Sequence, residues 1–93
     1  MSESNQNTAG AAFPEINFST FIFSLSSSAL VQLGELNDPS TGSKSLNLPV
    51  AKQTIDILAM LEEKTKGNLT GDEEKLLKNI LHDLRIKYID KQK

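Results

Sequence analysis

The sequence predicts an all-α fold of three helices, the last two an antiparallel hairpin and the first packed across it. Three observations carry that prediction. Apolar residues recur at helical spacing at Val50, Ala51, Ile55, Leu58 and Leu61, and again at Leu76, Leu77, Ile80, Leu81, Leu84 and Tyr88, which gives each run one face to bury. The connector between the runs, Lys66-Gly67-Asn68-Leu69, is so short that the two helices must be antiparallel neighbours. Upstream, Phe18, Phe21, Ile22, Leu25, Ala29 and Leu33 form a third stripe at the same spacing.

The first twelve residues, MSESNQNTAGAA, are small and polar and lack a basic start, so residues 1–16 read as a disordered polar tail without a signal-peptide core. Asn17 is a candidate N-cap, and the first helix is expected over 17–34, ending near Gly34. It carries no charge from Asn17 to Gly34. Phe18, Phe21 and Ile22 can serve the hairpin, whereas Phe23, Leu30 and Val31 lie off the stripe, leaving an apolar surface wider than one hairpin needs. The length approaches that of a membrane span. The composition opposes one, because eight of its residues are polar, from Asn17 and Ser19 to Gln32, and no lysine or arginine flanks either end.

Residues 35–47 read as a mobile loop in which Asp38-Pro39 starts a turn and Thr41-Gly42-Ser43 continues it. Ser43-Lys44 after Gly42 lacks the earlier glycine and the strand of a phosphate-binding loop. The second helix is expected over 48–66, with Asn47 as N-cap and Pro49 in the first turn, where a missing donor is harmless. Gly67 supplies the left-handed residue that ends it, and Asn68 belongs to the same turn. The third helix is expected over 71–89. Thr70 and Glu73 form a capping box, in which hydroxyl and carboxylate each accept an orphan amide. Acids at Asp72, Glu73 and Glu74 and bases at Lys87, Lys91 and Lys93 suit the helix dipole. One helical domain over 17–90 results, with 91–93 as a short tail.

With 93 residues, and about 55 left for a core once tails and loops are set aside, a chain without staples must pack unusually well or associate. The net charge of −2 divides into one base against four acids in residues 1–47 and nine bases against eight acids in 48–93. Neither half is a nucleic-acid footprint. The absence of cysteine excludes disulfides, thiol catalysis and thiolate metal sites.

Candidate chemistry is sparse. His82 and Asp83 are sequence neighbours, so on a helix their side chains diverge by about 100 degrees and form no dyad. Asp56 sits mid-helix one turn after Lys52, opposite the region of Lys78 to His82 across the connector, and Arg85 lies on the flank of the third stripe. Asp56 and Arg85 are expected to be partly buried and hydrogen-bonded as a structural pair, with a general base at Asp56 the lesser reading because it also needs a pocket. The acids around the connector lack the oxygen-ligand pattern of a calcium loop. No cofactor, metal or nucleic acid is implied. Asn68-Leu69-Thr70 fits a glycosylation acceptor but reads as turn and cap.

Ile55-Asp56 with Leu58, the run MLEEKTKGNLT from Met60 to Thr70, Glu73-Glu74, and Leu84-Arg85 before Tyr88 resemble the family catalogued as domain of unknown function 1844 (DUF1844). Phe18, Leu33-Gly34, Asp38-Pro39 with Thr41-Gly42, and Ala51-Lys52 extend the resemblance over about Phe18 to Ile89. It implies a short helical bacterial protein of the cytoplasm with no established activity, and it supplies no catalytic residues. The expected function is therefore association: a non-enzymatic helical module that forms a homo-oligomer, a dimer first, or binds a protein partner. Two alternatives are a peripheral membrane protein using the Phe-rich first helix, and a small enzyme using Asp56, His82 and Arg85.

Overall fold

The computed structural model describes residues 16–93. Three helices follow one another, α1 (Phe18–Gln32), α2 (Leu48–Lys64) and α3 (Gly71–Gln92), and every pair of them packs together. The first two end earlier than the sequence suggested. α3 runs further, taking in Lys91 and Gln92, which the sequence reading assigned to a tail. The extension has a partner: the Lys91 ammonium lies 3.3 Å from the Glu35 carboxylate, just after α1, and both side chains are about one-third exposed. Most of the polar-tail reading lies outside the described residues, as does Phe13; Ile16, its last residue, is exposed.

Each helix starts where its cap places it. The Asn17 side chain accepts from the Thr20 amide at 2.9 Å, and Asn47 accepts from the Val50 amide at 3.3 Å, with Pro49 in the first turn of α2. Thr70 and Glu73 form the full capping box, Glu73 N–H to Thr70 Oγ1 at 3.2 Å and Thr70 N–H to Glu73 Oε1 at 2.9 Å. Thr70→Ala leaves an orphan amide at the head of α3 and should lower stability by about 1 kcal/mol. Superimposable melts of mutant and parent would remove the cap from the account.

Glycine closes α1 and sets the turn after α2. Gly34 has φ +78. Its N–H donates to the Val31 carbonyl at 3.0 Å and that of Glu35 to Leu30 at 2.9 Å, the paired bonds that satisfy the last carbonyls of a helix. Gly67, at φ +84, turns the chain between α2 and α3 as the sequence indicated. A Cβ on Gly67 would meet open space, whereas one on Gly34 would stand 3.3 Å from the Ser45 carbonyl oxygen. Gly67→Val should therefore cost the strain of a left-handed residue, about 1–2 kcal/mol. Gly34→Ala should cost more than Gly67→Ala, because contact adds to the strain; equal denaturation midpoints for the two alanine variants would contradict this.

The core gathers Ile22, Ala29 and Leu33 from α1 and its cap, Ala51, Ile55 and Leu58 from α2, and Leu77, Leu81 and Leu84 from α3. Thr54 is the buried polar side chain among them, and its hydroxyl lies 2.8 Å from Gln32 Oε1. Together with the Asn47 N–H donating to the Gln32 carbonyl at 2.7 Å, this ties the end of α1 to the start of α2. The intervening loop is organised by Asp38. Its carboxylate accepts from the Ser40 amide at 2.9 Å and hydroxyl at 2.7 Å, and its carbonyl from the Gly42 amide at 2.7 Å. Those Ser40 bonds hold the Asp38 carboxyl below its ordinary value.

Candidate functional site

Two surfaces combine exposed apolar groups with a defined shape. The first is the outward side of α1. Thr20, Ser24, Ser27 and Val31 recur every three to four residues and so share one line along the helix, partly or fully exposed. Phe21 and Phe23 border that line on opposite sides, 48% and 54% exposed. Both rings would gain by further burial, and the face between them carries no charge.

This arrangement corrects the sequence reading at two positions. Phe21, assigned to the hairpin, faces solvent, because the buried stripe of α1 is centred on Ile22, Ala29 and Leu33, and Phe21 falls at its edge. Leu30, assigned to the outer face, packs against the core as Phe18 and Leu25 do. Of the three residues assigned to the outer face, Phe23 is exposed and Val31 partly exposed.

The second surface is a groove of about 240 Å³ between α2 and α3, lined by Lys52, Ile55, Asp56, Arg85, Tyr88 and Ile89. Here too the structure departs from expectation. Asp56 is exposed and pairs with Lys52 on its own helix at 2.9 Å, and Arg85 is exposed without an ion-pair partner among the described residues. The expected partly buried Asp56–Arg85 pair is absent because both lie outside the buried stripes, and the lysine one turn away is the partner of Asp56. Hydrogen bonding to Asp56, then its charge, raises the Lys52 pKa. An exposed pair of this kind contributes little to stability.

His82 is exposed and does not line this groove, so Asp56, Arg85 and His82 do not converge on one cavity. Asp83, its neighbour, pairs with Lys87 at 2.9 Å, and that bond raises the Lys87 pKa. Gly67, Asn68, Thr70 and Glu73 serve the turn and cap. Gly67 also lines a depression of about 330 Å³ at the connector with Glu62, Glu63, Lys66, Glu74 and Lys78, where charges of both signs mix. Among the described residues no three histidine, aspartate or glutamate side chains gather as a metal-holding group. No helix among them is long and apolar enough to cross a membrane.

Sequence reasoning missed Tyr88 and Ile89 as groove residues. Tyr88 follows the stripe and packs against the core, and only the crossing of α2 and α3 shows that it also lines the groove with Ile55. Ile89 breaks the stripe, which is the one local signal of an outward apolar side chain.

The family model described as a domain of unknown function (DUF1844) matches residues 15–90. No curated protein and no solved structure matches the chain.

Proposed function

The chain belongs to the DUF1844 family, and from that premise and the geometry of α1 we propose that it is a non-enzymatic module that works by self-association, as a twofold dimer in the cytoplasm. The observation that carries the reading is the outward face of α1, uncharged and bordered by the exposed Phe21 and Phe23. An uncharged face meets its own copy without repulsion, as a twofold contact requires. Threonine, serine and valine on the line between the rings let two backbones approach closely.

Fully burying a phenylalanine is worth roughly 1.5–3 kcal/mol. Half-exposed rings gain about half of that each, so four from two chains come within reach of the lower part of the ~4–15 kcal/mol cost of association. The dimer should accordingly be one of modest affinity whose population rises with concentration. A protein partner with an apolar groove and a lipid surface are the other two occupants of this face. Liposome co-sedimentation identifies the second. The test of the dimer is size at constant fold: Phe21→Ser with Phe23→Ser should keep the helix content of the parent and lose the larger species. An unchanged mass would overturn the assignment of this face.

A further inference from the structure

We propose that the groove between α2 and α3 captures the C-terminal end of a peptide, with an apolar last side chain on Ile55 and Ile89 and its carboxylate on Arg85 and Tyr88. The groove draws only on α2 and α3, so this binding function is separate from association through α1.

Charge complementarity identifies the occupant. Three charged side chains rim the groove, and the Lys52 ammonium is neutralised by Asp56 at 2.9 Å. Arg85 is left as the cation of the groove with no ion-pair partner among the described residues. Neither its guanidinium nor the half-buried Tyr88 hydroxyl has a partner among the described residues. The site therefore offers donors in excess of acceptors beside an apolar floor, the complement of a carboxylate attached to an apolar group. A planar guanidinium suits a carboxylate because two parallel N–H bonds can form at once.

Size and shape select the peptide. The cavity, about 240 Å³, falls below the roughly 300–1,000 Å³ of sites for drug-sized ligands, and it accommodates one side chain instead of a cofactor. Ile89 is 56% exposed, and Ile86, three residues earlier on α3, is 53% exposed. They extend the apolar surface beyond the groove. A free small acid would leave that extension wet, whereas the residues before a peptide's last one can lie along it.

Tyr88 is the single tyrosine of a chain without tryptophan, so its fluorescence reports on the groove directly. The probe is a short aromatic-free peptide ending in leucine with a free carboxylate, titrated into the full chain beside its C-terminal amide and N-acetyl-leucine. The acid should change Tyr88 emission saturably, and the amide should bind roughly tenfold or more weakly for want of a charge-assisted bond. Arg85→Gln, an exposed change that leaves the core alone, should weaken the acid by a similar factor and the amide hardly at all. Equal binding of acid and amide, no saturable change, or indifference to Arg85→Gln would overturn the proposal. N-acetyl-leucine binding as tightly as the peptide would overturn it too, and would assign the groove to a free small acid.

Discussion

Leu58→Ala is expected to lower stability by about 2–5 kcal/mol, the usual cost of emptying a fully buried leucine site, and so to consume much of the margin of so small a domain. Leu58 has no exposed surface and belongs to a cluster with Leu33 at the end of α1 and with Leu77, Leu81 and Leu84 of α3. Truncating it opens a void among side chains that all three helices share, and helices do not collapse into a void without losing contacts elsewhere. Chemical denaturation of parent and variant measures the difference. Ile57→Ala is the internal control: its neighbour in sequence is more than one-third exposed and should cost far less. Similar losses at the two positions would mean that the buried face of α2 has been misidentified.

The second large effect is expected at Phe21→Asp. A carboxylate at the border of the outward α1 face enters a twofold contact twice, once from each chain, and each copy must be desolvated beside apolar groups. Dimer formation should fall by at least tenfold, roughly the effect of losing 1.4 kcal/mol. Stability of the separate chain should fall far less than in Leu58→Ala, since Phe21 is nearly half exposed and lies outside the buried cluster. Leu30→Lys makes the contrasting case. Leu30 packs against the core, so it should destabilise the fold itself. Light scattering paired with circular dichroism separates the two outcomes, and a loss of helix content in Phe21→Asp would show that this ring supports the hairpin after all.

The contrast between Phe21 and Leu30 marks where sequence reasoning stops. Periodicity located all three helices, and the caps at Asn17, Asn47 and Thr70 and the glycines at 34 and 67 have the geometry that their chemistry requires, because each depends on neighbours a few residues away. The buried faces of α2 and α3 were equally legible, since charge fills their opposite sides. α1 has no charge to mark its outer side. With phenylalanine and leucine on both flanks and serine, threonine and one valine opposite, the edge of its buried stripe is set by how the helix crosses the hairpin, which periodicity does not encode. Asp56 and Arg85 were misassigned for a related reason: they come to one groove without meeting, because Lys52 on the same helix takes up the aspartate. The Glu35–Lys91 contact spans a loop and two helices and left no trace in local spacing.

The central claim is that the outward face of α1 is covered by a second copy of this chain, and sedimentation equilibrium of the unmodified protein over a wide concentration range tests it most directly. A reversible monomer–dimer equilibrium is expected, moving toward monomer on dilution and weakened at least tenfold by Phe21→Asp. A single monomeric species up to high micromolar concentration, without lipid or partner present, would contradict it.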